Sequence, residues 1–442
     1  MSARDAAAPA AAGLALWLTA CAAVPPAVQL TPDQRRLHLA AFDQVWATVR
    51  ERHFDPDLGG LDWVAVRDEL RPRVARASSA GEVRRAIEAM IGRLGQSHFQ
   101  LLPAEIYRSA EGQQPPTAGG AVGLEVRMVG ERVLVTRVVP GSPAADAGVR
   151  AGWEIAAVGG RDIRPELRAI ARQRAGRPDR GAYLAAAVRG LLAGPVGSRV
   201  TVMMRDGGNR ARRLDLRRAP PEGWASRPFG HFPSVAVSFR RDRLGARIGY
   251  VAFNAFLDPA RLMPLFNDAV ESFLDAEGVV IDLRGNMGGL GDMLPGMAGW
   301  FIGAKGTSLG TIVTRAGSLK LAVTPRPSPF TGRVAVIVDD LSMSAAEVMA
   351  QGLKDAGRAR VFGGRTAGAV LASTVERLPN GDGFQYPIAR FEFPSGAVVE
   401  GVGVTPDVEV RPTRETLLEG RDVALEAAVA WLGQQNPRGQ RP

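Results

Sequence analysis

Two short segments hold residue types that can carry out acyl transfer together. The first is Asp282-Leu283-Arg284-Gly285-Asn286-Met287-Gly288-Gly289. It follows an apolar run and precedes a helical pattern. A glycine turn beside a helix start presents backbone N–H groups to an anion. In acyl transfer that anion is the tetrahedral oxyanion. The second is Ser342-Met343-Ser344-Ala345-Ala346-Glu347, after the apolar run Val334–Val338 and at the opening of a helix. A serine there can act as a nucleophile, with its oxyanion held by the Ala345 and Gly288 N–H groups. The same residues have a plainer use, because Ser344 and Glu347 have the spacing of a capping box.

These two segments and the downstream Gly363-Gly364-Arg365-Thr366-Ala367-Gly368 together resemble the tail-specific (C-terminal processing) proteases and the tricorn core protease. The resemblance runs from about residue 90 to 410 and implies that Ser344, directly before Ala-x-Glu, is the nucleophile. The processing branch activates its serine with a lysine that follows a Thr-x-Gly turn. Here that turn is Thr366-Ala367-Gly368, and the next residue is Ala369. Lysine occurs only at Lys305, Lys320 and Lys354. Lys354 lies along the same helix as Ser344, roughly 15 Å away at a helical rise of about 1.5 Å per residue. A base must come within about 3 Å.

The tricorn branch uses histidine, and the chain has four. His38 and His53 fall on N-terminal helical patterns, and His231 follows a linker. His98 sits in Leu94-Gly95-Gln96-Ser97-His98-Phe99, which resembles the tricorn Ser-His pair. Gln96 replaces an aspartate common in related sequences. Glu400-Gly401-Val402-Gly403-Val404-Thr405-Pro406-Asp407 resembles the element whose glutamate completes the tricorn tetrad. The resemblance therefore implies Ser344 as nucleophile and His98 as base, with Ser97 and Glu400 in support. A histidine can take and return a proton near neutral pH.

Gly119 to about Arg218 resembles a bacterial PDZ domain. The matching residues are Gly123-Leu124-Glu125-Val126, then Val139-Pro140-Gly141-Ser142-Pro143-Ala144-Ala145-Asp146-Ala147-Gly148-Val149, then Gly152-Trp153-Glu154-Ile155. Such a domain binds a peptide by strand addition and takes its carboxylate on loop N–H groups. The resemblance implies Gly123, Leu124 and Val126 as peptide-binding positions. Arg164–Val188 is longer than the pattern requires.

The elements that must position these residues give a multidomain α/β reading. Residues 22–108 comprise a tether and an N-terminal helical bundle, opened by Thr31-Pro32-Asp33. Helical spacing runs to about Leu102. Residues 109–118 read as a linker, 119–218 as the PDZ β-domain, and 224–412 as an α/β catalytic domain. In the last, strands are expected at Arg247–Phe253, Gly278–Leu283, Val334–Val338, Leu371–Arg377 and Phe384–Phe391. Helices are expected at Ala260–Phe273, after Gly289 and at Ser344–Ala356. Residues 413–442 read as a terminal helix and a polar tail.

With 442 residues the chain is long enough for two or three domains. Its net charge of +10 comes almost entirely from arginine. No basic run is interleaved with aromatics, so a nucleic-acid partner is not expected. Arg210, Arg212, Arg213, Arg217 and Arg218 alternate with other residues, as on the polar face of a strand. Residues 1–21 have the layout of a lipoprotein signal peptide, and Leu18-Thr19-Ala20-Cys21 resembles the bacterial lipobox. That implies lipidation at Cys21, membrane anchoring and a location facing the bacterial periplasm. Zinc-type clusters, a P-loop and a dinucleotide fingerprint are missing from the sequence, so no cofactor is expected. Polypeptides are the expected substrates. A degenerate, non-catalytic peptide-binding scaffold is the alternative, and oligomeric state has no sequence signal.

Overall fold

The computed structural model describes residues 29–110 and 119–434. Cys21, the signal peptide, most of the tether and most of the expected 109–118 linker lie outside the described residues.

Three helices open the fold: α1 (Pro32–Arg52), α2 (Trp63–Ala75) and α3 (Ala80–Gly92). Thr31 caps α1 as expected, accepting from Gln34 N–H while Gln34 returns the bond. The helical pattern does not extend to Leu102. Gln100–Leu102 is a strand, β1, followed by α4 (Ala104–Ala110). β1 pairs antiparallel with a strand near the far end of the chain. The apolar faces of α1–α3 accordingly share one core with Leu378, Phe384 and Tyr386. Every side chain on the buried face of β1 is thereby committed to the far end of the chain, which a helical period cannot reveal.

The middle segment comprises β2 (Leu124–Val129), β3 (Arg132–Val138), α5 (Pro143–Asp146), β4 (Glu154–Val158), β5 (Arg161–Asp162), α6 (Arg164–Gln173), α7 (Arg180–Leu192), β6 (Arg199–Arg205) and β7 (Ala211–Arg217). Its antiparallel sheet runs β2-β3-β4-β6-β7, with β5 paired to β4. The long stretch Arg164–Val188 folds mainly as α6 and α7. Pro at the start of α6 and the apolar face of α7 explain those helices. β7 carries exposed arginines, while Leu216 turns inward.

The third segment begins with β8 (Trp224–Ala225), β9 (Ala236–Val237), β10 (Phe239–Leu244), β11 (Ile248–Phe253), α8 (Pro259–Glu271), β12 (Gly278–Asp282) and α9 (Leu294–Ala298). It continues with β13 (Ser308–Thr314), β14 (Gly317–Ala322), β15 (Arg333–Val338), α10 (Ala345–Asp355), β16 (Ala359–Gly363), β17 (Ala372–Arg377), β18 (Gly383–Glu392) and β19 (Val408–Glu409). Two helices end it, α11 (Arg414–Leu418) and α12 (Val423–Leu432), where one was expected. One sheet runs β10-β11-β12-β15-β16-β19, parallel from β11 onward. Its strands read as continuous apolar runs because helices cover both faces. α8, α9 and α10 share the core on one face, and α12 covers the other. A second sheet runs β1-β18-β13-β14, with β17 also on β18. α10 lies against β13 so closely that a Cβ on Gly352 would meet Leu309 Cδ2 at 2.7 Å. The architecture is mixed α/β.

Candidate active site

The nucleophile candidate lies where β15 ends and α10 begins. Ser342 is buried and donates its hydroxyl to Leu283 O (2.7 Å), while Met343 N–H donates to Asn286 O (3.0 Å). These bonds lock the serine loop to the glycine turn after β12. Ser344 itself has φ 55° and ψ −121°. An ordinary cap such as Thr31 sits at φ −66°, ψ 161°. The left-handed value turns the Ser344 side chain away from routine helix capping and stores strain. Ser344 keeps accessible surface between the buried residues Met343 and Ala345.

Glu347 supplies more than a cap. It is fully buried and its carboxylate accepts four bonds. Thr366 Oγ (2.5 Å) and Gly368 N–H (2.8 Å) donate to Oε1. Ala369 N–H (2.8 Å) and Ser344 N–H (3.0 Å) donate to Oε2. Burial pushes this carboxyl up to about 7, against the pull of the four donors. Ser344 N–H also donates to Ala369 O at 2.8 Å. One carboxylate thus fixes the serine backbone against the segment 366–369.

Gly288 stands where the resemblance requires. A Cβ there would lie 2.5 Å from Ser344 Cβ and 3.1 Å from Ala345 N, and its φ is +82°, so only glycine fits. Its N–H corrects the expectation in part: it donates to Asn286 Oδ1 (2.9 Å), because the Asn286 side chain closes the turn. Ala345 N–H has no acceptor among the described residues and opens α10 beside Ser344.

The relay candidates meet from opposite ends of the chain. Glu400 Oε1 accepts from Ser97 N–H (2.9 Å). Glu400 Oε2 accepts from the Ser97 hydroxyl (3.0 Å) and from Val370 N–H (2.9 Å). Ser97 Oγ lies 2.8 Å from His98 Nδ1. With its proton given to Glu400, the Ser97 oxygen is left to accept from Nδ1–H. The Nε2 lone pair is then the free one, as a base requires. Desolvation drives the His98 imidazole down to about 4 even though the residue as a whole keeps some accessible surface, so the ring is neutral at neutral pH. Burial raises Glu400 above the ordinary carboxylate range, while its three donors and Arg177 pull it back. His98 has φ 60°. Two of the five non-glycine residues with positive φ among the described residues are therefore His98 and Ser344.

The connection to Ser344 runs through two adjacent residues: Ala369 O accepts from Ser344 N–H, and Val370 N–H donates to Glu400. The other histidines are engaged elsewhere or exposed. His38 Nδ1 meets Asn380 Nδ2 at 3.0 Å, and His53 Nε2 meets Gln96 Oε1 at 2.7 Å. Gln96 is thus explained: it ties the His98 turn to the end of α1. His231 is exposed. Lys354 Nζ is held by Thr405 O (2.9 Å) and Asp407 (2.8 Å), while Lys305 and Lys320 are exposed. Ala369 is buried in one apolar cluster with Ala182 and Ala185 of α7, surroundings that disfavour a lysine.

Sequence reasoning identified Glu347 only as a cap and missed Thr366 and Asn286 as braces. Thr366 stands in the Thr-x-Gly turn, and its hydroxyl also accepts from Val404 N–H (2.6 Å). In the middle segment, Gly123 (φ +82°) sits just before β2, and a Cβ there would meet Ser142 Cβ at 2.1 Å. Leu124 and Val126 lie in β2, an edge strand paired only with β3. Among the described residues no group of His, Cys, Asp or Glu could hold a metal ion.

Residues 247–410 match the model of peptidase family S41, and residues 38–92 match the tricorn protease C1 domain. The chain is 27% identical to a chloroplastic C-terminal processing peptidase of Tetradesmus obliquus, over 93% of this chain and 85% of the relative. It is 25% identical to a carboxyl-terminal-processing protease of Synechocystis, over 92% and 88%. Against a putative tricorn protease homolog 2 of Streptomyces coelicolor it is 27% identical, over 91% of this chain and 33% of that one. The solved structure of a photosystem II D1 C-terminal processing protease superposes with a TM-score of 0.57 at 24% identity, covering 92% of this chain and 98% of that one. At that identity the likeness speaks for the fold alone. The matching models, the relatives aligned over nearly the whole chain and the shared fold agree: residues 247–410 are a peptidase family S41 domain, the chain is similar to the tail-specific proteases, and it is a serine-type peptidase.

Proposed function

We propose that the enzyme is an endopeptidase of unfolded or tail-exposed polypeptides that works through Ser344, His98, Ser97 and Glu400, in the histidine-using, tricorn-like manner. The observation that carries this is the Glu400 carboxylate, which accepts from Ser97 beside His98 and from Val370 N–H, next to the Ala369 carbonyl that takes the Ser344 N–H. Ser344 Oγ attacks the scissile carbonyl carbon as His98 Nε2 takes its proton. The oxyanion falls to the Ala345 N–H, beside the glycine turn whose Gly288 N–H is held by Asn286 Oδ1. His98 then gives the proton to the leaving amine, and water hydrolyses the acyl-enzyme by the same route. Glu400 acts through Ser97, which holds the imidazole in the tautomer that leaves Nε2 free.

We read residues 119–218 as a PDZ domain that takes the substrate C-terminus on β2, the N-terminal helices as a bundle, and 224–412 as the catalytic domain. The free edge of β2 beside α7 supports strand addition, with Gly123 and Leu124 at the carboxylate end. Cys21 is the proposed lipidation site, placing the enzyme on the periplasmic side of a bacterial membrane. No helix among the described residues is long and apolar enough to cross one.

The test is cleavage of an intrinsically disordered protein by wild type and Ser344→Ala. The variant should fold normally, cut nothing and fail to label with a fluorophosphonate probe. Cleavage by Ser344→Ala at the wild-type rate would remove the assignment.

A further inference from the structure

α6 and α7 belong to the middle segment, yet the corner joining them, residues 174–179, touches the catalytic candidates. Asp179 is buried and binds both Arg174 (3.1 Å) and Arg177 (3.1 Å), which fixes the corner. Arg174 also stacks over the Tyr183 ring. From this anchored corner Arg177 Nη1 donates to Gly95 O at 3.2 Å. Gly95 has φ +67° and starts the turn that carries Ser97 and His98. The next residue, Pro178, lies against Gly368: a Cβ on that glycine would meet Pro178 Cγ at 2.8 Å and Val402 N at 2.9 Å. Gly401 N–H donates to Gly368 O at 2.8 Å. One corner thus meets the His98 turn, the 366–370 segment and the Glu400 turn.

We propose that Arg177 is a positioning residue for the catalytic relay: from the middle segment it pins the Ser97–His98 turn through Gly95 O and lends its positive charge to Glu400, so that the hydrolytic site is complete only with the α6–α7 corner docked. This rests on the relay proposed above. The titratable groups around Arg177 are Asp179, Tyr183 and Glu400. Bearing on Glu400 are hydrogen bonds from the Ser97 N–H and hydroxyl and the Val370 N–H, and the charge of Arg177. Arg177 opposes the burial that raises the Glu400 carboxyl. Removing it leaves Glu400 easier to protonate, so any acid limb set by Glu400 moves to higher pH.

The experiment compares full-length wild type, Arg177→Ala, Arg177→Lys, Glu400→Gln and the Arg177→Ala/Glu400→Gln double variant on a disordered substrate across pH. Arg177→Ala should lower kcat about tenfold with KM little changed, since it misplaces groups rather than substrate. Its acid limb should lie at higher pH, and Arg177→Lys should recover part of the rate. In the Glu400→Gln background the substitution should cost less, because the Arg177 charge no longer has that carboxylate to act on. Wild-type kcat and pH profile in Arg177→Ala would overturn the proposal. So would a loss that tracks a lowered melting temperature, is unrelieved at high pH and is additive with Glu400→Gln. His98→Ala is the separate control: full activity there sinks the relay itself, whatever Arg177→Ala does.

Discussion

Ser97 and Glu400 are 303 positions apart in the chain, and the hydroxyl of the first donates to Oε2 of the second at 3.0 Å. That bond decides which nitrogen of His98 carries a proton. It also joins the N-terminal helical segment to the turn before β19. β1 pairing with β18 makes the approach possible, because it carries the chain that has just passed His98 onto the second sheet.

The first prediction concerns His98 and proton linkage. Its folded pKa is near 4, below the ordinary 6.5 of an unfolded histidine. Between those values the unfolded chain binds more protons. The histidine's contribution to stability is therefore present above pH 6.5 and is lost as pH falls through about 4. Denaturant titrations should show His98→Gln with a flatter stability profile in that window. An NMR titration of the imidazole should find its midpoint far below that of a free histidine.

Glu347 is the second. All four of its partners are donors. In Glu347→Gln an amide NH2 must face N–H or O–H groups, leaving buried donors unpaired. The expected loss is about 1–3 kcal/mol of stability, read from chemical denaturation. Activity should fall further than stability alone explains, because the same carboxylate holds Ser344 N–H. Equal stability of Glu347→Gln and wild type would contradict the four-donor arrangement.

Gly288→Ala is the third. The added methyl would sit 2.5 Å from Ser344 Cβ and 2.8 Å from Met343 O, on a backbone at φ +82°. Neither neighbour can move without disturbing the oxyanion turn. The variant should lose roughly 10²-fold or more in kcat, the scale seen when an oxyanion donor is removed. Steady-state kinetics on a peptide substrate would read it, with circular dichroism confirming the fold.

Ala369→Lys is the fourth. A lysine at this place serves the processing branch that the sequence resembles. Here Ala369 is buried in one apolar cluster with Ala182 and Ala185. The longer side chain should therefore cost about 1–3 kcal/mol by overpacking and should not restore cleavage to His98→Ala. Recovery of activity in the double variant would show that α7 yields more easily than its packing indicates.

The local parts of the site were legible from residues alone. The glycine turn, the serine before α10 and the strands β11, β12 and β15 announce themselves by short-range signals: glycines where φ is positive, and apolar runs where a sheet is covered on both faces. The hairpin β13–β14 was not found, because most of its side chains are partly or fully exposed and leave no apolar run. β1, three residues long, cannot display a period and so merges in the sequence with the preceding helices.

The sequence motifs, through their resemblance to a known family, pointed to that family, to the nucleophile candidate and to the histidine worth testing. Only the tertiary structure decided that Glu400 reaches Ser97, that Glu347 braces the serine loop, that Gly288 has already given its N–H to Asn286, and that α7 fills the space beside Ala369. Those facts depend on contacts between residues tens to hundreds of positions apart. Such contacts follow from how sheets and helices close on one another, and no local pattern of side chains carries that information.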